Sequence, residues 1–451
     1  MSWQDAEMST VLKIDEVGTV ITGKTPKTSV SEFWDGNLPF YTPSDMDGRR
    51  HLDGVKRYIT EEGLKSVKNS AIPPNSVMVS CIGSDMGKVS LSVHHGVTNQ
   101  QINTIIPNEE VVDFLYLYYS LLPRKSELQM LAAGGSAQPI LNKGQFSQLE
   151  VVAPSLQDQK AIAHILGTLD DKIELNQKMN QTLEEIAKAI FKSWFVDFDP
   201  VQAKAEGRPT GLPPEISDLF PDELVDSEIG EIPKGWEVTP LQECAIEIES
   251  GRRPKGGIDK SLRQGIPSVG AESIAPAGNF DFSKVKYVTA EFAEKMKKGR
   301  VQNFDVALYK DGGKPGQFIP RVGIYGDGFP FDHFYVNEHV FLLRSEQLGQ
   351  PFLYRLVSSP AFLDQLIAKG SAKAAQPGLN QTEVVESTFV CPNEDAINLF
   401  NAKTRPLLER QFLLGKENEI LSDLRDTLLP KLISGELRIP DAEKFLEEAG
   451  I

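Results

Sequence analysis

The stretch Gly-Ser-Asp-Met-Gly-Lys-Val at 83–89 is the first place where residue types and spacing suggest chemistry. A phosphate-binding loop needs four residues between its glycines, and a Ser or Thr after the lysine to hold Mg²⁺. Here three residues separate Gly83 from Gly87, and Val89 follows Lys88, so both requirements fail. Lys-Asp-Gly-Gly-Lys-Pro-Gly at 310–316 fails in the same way. The chain has no Gly-x-Ser-x-Gly nucleophile turn, no His-Glu-x-x-His zinc helix and no Cys-x-x-Cys pair. The Asn/Asp-Pro-Pro-Tyr/Phe motif of methyl transfer is missing too. Of the six histidines only His94 and His95 are adjacent, and they read as a surface loop. Cys81, Cys244 and Cys391 are lone and far apart, which gives neither disulfide nor metal spacing. A chain that performs no reaction itself and binds no metal is the expectation.

The elements that surround these residues are more informative. A length of 451 residues suggests two to four domains, each able to build a core. No apolar run reaches membrane length and no leader pattern is read, so a reducing cytoplasmic compartment is expected. The net charge of −16 counts against a polyanionic partner, but it is unevenly spread. Residues 156–235 carry 8 basic and 16 acidic side chains, whereas 236–393 carry 18 of each. Half the net acidity therefore sits in one connecting region.

The chain also repeats itself. Ala-Gln-Pro-Ile-Leu-Asn (137–142) returns as Ala-Gln-Pro-Gly-Leu-Asn (375–380) at an offset of 238. Along 138–195, 11 of 58 positions are identical at that offset, which is sustained register and not one chance phrase. Earlier the offset is 228, as in Thr-Gly-Lys-Thr-Pro-Lys (22–27) against Ser-Gly-Arg-Arg-Pro-Lys (250–255), and then 229 at 77–88 against 306–317. A nine-residue insertion between 317 and 337 reconciles the two copies. Each copy runs from strand-like segments through a short helix and the shared phrase into a long heptad helix.

The heptads place Leu169, Ile173, Asn176, Asn180, Leu183 and Ile190 on one stripe, and Leu407, Leu414, Asn418, Leu421 and Leu428 on the other. Each stripe is the natural cover for the other, with the asparagines setting register. Gly167 and Pro406, one aligned position apart, predict a break in both helices. The remainder of the first, 168–195, would be roughly 42 Å long. Residues 199–235 read as an acidic, proline-rich connector with at most one short helix. An antiparallel pair of helices would set the two globular copies at opposite ends about a pseudo-twofold axis. That spacing is of the order, about 34–36 Å, at which dyad-related heads meet one face of a duplex.

Phe-Lys-Ser-Trp-Phe-Val-Asp-Phe-Asp-Pro-Val-Gln-Ala-Lys-Ala-Glu-Gly (191–207), Leu-Phe-Pro-Asp-Glu-Leu-Val-Asp-Ser-Glu-Ile-Gly-Glu-Ile-Pro-Lys-Gly-Trp (219–236) and Leu-Leu-Pro-Lys-Leu-Ile-Ser-Gly-Glu-Leu-Arg-Ile (428–439) carry a family likeness. In these runs, and along its whole length, the chain resembles the specificity subunit of bacterial type I restriction–modification systems. The resemblance implies an α+β fold: two mixed α/β target-recognition domains in tandem duplication, separated by an antiparallel coiled coil of two long helices. It implies recognition domains at 1–155 and 236–393, a first conserved helix at 156–198, a connector at 199–235, and a second helix with its tail at 394–451. It further implies that the chain binds double-stranded DNA at a bipartite, asymmetric site. Partners would be two methyltransferase subunits and motor-nuclease restriction subunits, with no membrane. S-adenosylmethionine, ATP and Mg²⁺ would belong to those partners, and this chain would bind no cofactor.

On that footing, Arg252, Arg253 and Lys255 are candidate phosphate or base contacts in a Gly/Pro-rich loop, with Lys24 and Lys27 as counterparts. Lys88, Lys314 and Gln317 lie in paired glycine-rich turns, with Gln317 aligned to Lys88. Tyr41, Thr42 and Ser44 offer hydroxyls, and Gln100 and Gln101 offer amides suited to adenine. Lys369 and Lys373 occur only in the second copy and are candidate phosphate contacts. Features common to both copies, such as Asn99/Asn337, Gln138, Pro139 and Asn142, are assigned to the scaffold. The outer faces of the long helices and the Trp194–Phe198 segment are candidates for docking the methyltransferase. Two other readings compete: a coiled-coil adaptor whose heads bind proteins, and a self-contained nuclease or methyltransferase, which the missing motifs oppose.

Overall fold

The computed structural model describes residues 10–83, 85–132, 139–259, 261–314, 316–373 and 377–448. They divide into two compact units: one holds the described residues up to Ile173 and from Ile420 onward, the other spans Glu174–Glu419. Among the described residues no helix is long and apolar enough to cross a membrane.

In the first unit a five-stranded sheet runs Gly18–Thr22, Ile102–Pro107, Val77–Ser80, Val89–Ser92, His51–Leu52. A four-stranded sheet runs Tyr58–Ile59, Trp34–Tyr41, Gly96–Thr98, Ala71–Ile72. The β-branched and aliphatic residues of these strands bury both faces, and Val77, Val79, Ile105, Tyr116, Leu117 and Phe146 form one core. Asp113 starts the helix Phe114–Leu121 by accepting hydrogen bonds from the Leu115 and Tyr116 N–H groups.

The second unit repeats most of this pairing in a four-stranded and a three-stranded sheet, and among its described strands the His51–Leu52 edge strand has no counterpart. Phe40 pairs with Val97 in parallel, and Ser268 with Tyr335. Ile105 lies opposite Val77, and Leu343 opposite Val306. Gly18 faces Pro107, and Ile246 faces Ser345. These are the offsets of 228, 229 and 238 turned into strand register. The expected single insertion is divided, however. Val79 pairs with Val89 where Leu308 pairs with Val322, so the offset has already reached 233 there. Four residues enter before Val322 and build an extra hairpin, Gly313–Lys314 with Gln317–Phe318, and five more enter between Ile324 and Tyr335. Lys88 is therefore equivalent to Arg321 and not to Gln317.

The repeated phrase joins strand to helix in both copies. Ile82 bridges Ile140 and Asp311 bridges Gly378. The Leu141 N–H donates to the Cys81 carbonyl at 2.9 Å, and the Leu379 N–H to the Lys310 carbonyl at 2.7 Å. Asn142 then caps the helix Lys143–Ser147 in a reciprocal box with Gln145, and Asn380 caps Gln381–Val385 with Glu383. Gln138 and Gln376 lie outside the described residues.

The long helices span Leu156–Phe195 and Glu394–Ser434, without the breaks expected at Gly167 and Pro406. Pro406 and Ala402, whose carbonyl it leaves without a donor, are both exposed, so water can satisfy that group. At Gly167 the missing side chain leaves room for Arg50 and Leu115, which would lie 3.6 and 3.2 Å from a Cβ. In the first unit, Ile162, Leu166, Leu169 and Ile173 pack with Leu421, Leu428 and Leu432, and Arg425 bonds Asp170 at 2.7 Å. In the second unit, Phe191 meets Phe400, Asn180 meets Gln411, and Asn176 donates to Asn418 at 3.0 Å. One number falls as the other rises, so this pairing is antiparallel. Leu414 is buried, while Leu183, Ile190, Leu407 and Asn418 are half-buried at the margin.

The connector is more ordered than its composition suggests. It forms the helices Asp199–Ala205 and Pro214–Ser217 and the hairpin Leu224–Ser227/Gly230–Pro233, correcting the expectation of at most one short helix. Its Val201 and Phe220 are buried, the latter against Trp194 at 5.3 Å, while Phe195 packs on Trp236 at 6.0 Å. Trp194 and Phe195 thus belong to an internal aromatic cluster, and of the Trp194–Phe198 segment Val196 is exposed.

Candidate nucleic-acid interface

In each unit the strand that opens the larger sheet ends on a glycine pressed against the neighbouring sheet. A Cβ on Gly23 would lie 2.1 Å from the Asn99 carbonyl oxygen, and one on Gly251 would lie 1.6 Å from that of Val336. No other residue fits, and the chain beyond is thrown outward as an exposed corner. In the first unit the corner carries Lys24 and Lys27, both exposed. Thr25 donates to the Gln100 side chain at 2.7 Å, and Ser70 donates to the Thr22 carbonyl at 3.2 Å. Lys24, Lys27 and Gln100 are so brought together with Lys68. Gln101 is held by Asn99, whose oxygen accepts the Gln101 N–H and whose amide donates to its side chain. Asn337 accepts the His339 N–H in the same way, so the shared asparagine shapes the turn.

The second corner gathers more charge. A Cβ on Gly299, where φ is +84°, would lie 2.3 Å from the Cα of Gly251. This contact sets Lys297, Lys298 and Arg300 against Arg252, Arg253 and Lys255, all six exposed. Arg253 pairs with Glu338 at 2.6 Å. Sequence reading missed Lys297, Lys298 and Arg300, because only a tertiary glycine–glycine contact joins them to the loop. Their one local signal is the run Lys-Lys-Gly-Arg.

Several other candidates are engaged within the fold. Lys88 donates to the Pro43 carbonyl at 3.2 Å, and its true equivalent Arg321 donates to the Ala271 carbonyl at 2.9 Å. The two heads thus share one brace at this position. Tyr41 is 0% exposed and donates to the His94 carbonyl, and burial pushes its hydroxyl pKa up to about 12. Thr42 bonds Asp45 and Ser44 within one turn. Lys369 donates to the Glu383 carbonyl and the Ser387 hydroxyl, both at 2.9 Å, and burial lowers its pKa. Lys373 bonds the Gly378 carbonyl and the Glu383 carboxylate. Both lysines were expected at phosphate and instead brace the capping box. Lys314 and Gln317 are exposed on the inserted hairpin, which docks through Phe318 on the helix Pro360–Ser371 and does not share the Gly251 corner's contacts.

Each head is fixed to the helical segments of its own unit by buried charge. Arg355, 3% exposed, makes two parallel bonds of 2.7 and 2.6 Å to Glu184, 9% exposed. Burial alone would raise the Glu184 pKa, but Arg355 and Lys188 outweigh it and hold the carboxyl below its usual range. In the first unit Tyr119 donates to Asp170 at 2.6 Å, and Arg50 pairs with Asp171. Among the described residues no group of three or more His, Cys, Asp or Glu side chains could hold a metal.

A family model for the type I restriction modification DNA specificity domain matches residues 7–185. The MjaIX specificity subunit of a type I restriction enzyme from Methanocaldococcus jannaschii is 29% identical over 96% of this chain and 94% of its own. The HindI specificity subunit of Haemophilus influenzae is 25% identical over 87% and 90%. The crystal structure of a type I restriction-modification S subunit from M. genitalium shares the fold, with a TM-score of 0.56 at 17% identity, covering 95% of this chain and 97% of that one. Over nearly its whole length this chain is similar in sequence to specificity subunits of type I restriction enzymes, and it shares its fold with a type I S subunit.

Proposed function

We propose that this chain is a DNA-recognition subunit that performs no chemistry itself and reads a split, asymmetric sequence, one part with each head. The observation that carries this reading is the duplication: one scaffold, kept in strand register, presents two corners of different sequence. Different corners on equivalent scaffolds suit two different half-sites. Phosphate contacts from Lys24, Lys27, Arg252 and Lys255 would position each head, and amides such as Gln100 would contact base edges.

The resemblance assigns methyl transfer to two methyltransferase subunits and cleavage to restriction subunits, with S-adenosylmethionine, ATP and Mg²⁺ bound there, in the cytoplasm. Leu175 and Leu413 occupy equivalent positions on the two long helices and are 53% and 60% exposed. Matched apolar side chains in water support docking of two copies of one partner. The test is selection from randomised duplexes by the purified chain with its methyltransferase subunits. Enrichment of two fixed blocks around a spacer of constant length is expected; enrichment of no split sequence refutes the reading.

A further inference from the structure

We infer that the Gly251–Gly299 corner of the second head is the principal phosphate anchor of the protein, and this rests on the DNA-recognition reading above. Strand register aligns the two corners residue by residue. Gly23, Lys24, Thr25, Pro26 and Lys27 correspond to Gly251, Arg252, Arg253, Pro254 and Lys255. Ala71 pairs with Val97 where Arg300 bridges Tyr335, so Lys68, Asn69 and Ser70 correspond to Lys297, Lys298 and Gly299. Six cations in the second head therefore stand where the first has three.

The nearby carboxylates do not neutralise them. Glu249 is bound to Arg344 at 3.1 Å and accepts the Gly299 N–H, and Glu338 is bound to Arg253 and His339. Among the described residues Arg252, Lys255, Lys297, Lys298 and Arg300 have no ion-pair partner. Five like charges gathered on one corner repel one another, and a polyanion relieves that repulsion while releasing its own counterions. The backbone is open there as well: Gly256 and Gly257 have φ of +93° and +95°, with nothing within 4 Å of a Cβ on either. In a chain of net charge −16, this corner gathers five cations without an ion-pair partner among the described residues.

Salt titration of the complex with its methyltransferase subunits tests this. Each phosphate contact contributes about 0.9 to the slope of log affinity against log salt. The R252Q/K255Q/K297Q/K298Q variant is expected to flatten that slope by about 3.6, and K24Q/K27Q/K68Q by no more than about 2.7. Both should leave the selected sequence unchanged, because phosphate contacts position without specifying. All seven positions are exposed, so folding is not at issue, and far-ultraviolet circular dichroism checks it. A second-corner variant that keeps the wild-type slope, or loses no more than the first-corner variant, overturns the inference. Salt dependence is equally readable on non-specific duplex. Failure of the wild type to select a split sequence would thus refute the recognition reading and still leave the corner tested.

Discussion

In the first head Arg50 reaches out to the long helix, donating to the Gly167 carbonyl and pairing with Asp171. In the second head Gly278 lies against the long helices, and there the donors point the other way. Asn180 donates to the Gly278 carbonyl at 3.2 Å, and a Cβ on that glycine would collide with the Gln411 carbonyl at 2.4 Å. The same docking task is met once by a head side chain on helix backbone and once by a helix side chain on head backbone. Strand register and the capped phrase are shared, whereas charge at the corners and polarity at the helix contacts are free to differ. A duplicated scaffold keeps what folds it and varies what it touches.

The comparison can be broken most severely at Glu184. Its partner Arg355 corresponds to Leu117 in the first head, which is buried and apolar. E184A leaves a buried guanidinium alone and is expected to cost the second unit about 3–5 kcal/mol. E184L/R355M should recover most of that loss; urea unfolding followed through Trp194 and Trp236 measures both. A double variant as unstable as the single one would contradict the account.

The same pair predicts an acid dependence. With its folded-state pKa depressed, Glu184 takes up its proton more readily in the unfolded chain. The stability difference between wild type and E184Q should be full above the ordinary carboxylate value near 4.5, and should fade as pH falls through the lower folded value. A difference that grows on acidification would mean that burial, not Arg355, dominates.

A smaller effect is expected at Gly299, whose counterpart is Ser70. G299A should cost about 1–3 kcal/mol through its positive φ and the clash with Gly251, and should weaken DNA binding by separating the two basic tracts. S70A in the first head, which loses only the Ser70–Thr22 hydrogen bond, should cost no more than about 1 kcal/mol by the same urea unfolding. Smallest in stability, within about 0.5 kcal/mol, are L175E and L413E, which alter only exposed positions. They are nonetheless expected to abolish co-purification with the methyltransferase, and unchanged complex formation would remove these leucines from the docking surface.

Much of this architecture was legible in the sequence because duplication writes the fold twice. Offsets of 228 and 238 become the strand partners Phe40–Val97 and Ser268–Tyr335 without adjustment. The alignment failed where a turn accepts almost any Gly-rich run: Gly-Gly-Lys-Pro-Gly-Gln matched Gly-Ser-Asp-Met-Gly-Lys while belonging to an added hairpin. Composition misled at the connector, since acidic and proline-rich residues hid the Phe220 and Trp236 anchors that order it. For the site, charge alone could not separate Lys373, committed to Glu383, from Lys298, left free. The partner that engages a lysine can be 10 residues away, as Glu383 is from Lys373, or 45, as Pro43 is from Lys88.

The central claim is that twin heads read twin half-sites of unlike sequence. The consensus of adenine methylation in a host expressing this chain with its methyltransferase addresses it directly. Two short fixed blocks, unlike each other and separated by a constant run of unspecified bases, are predicted. A single uninterrupted block, a perfect palindrome, or no consensus would contradict it.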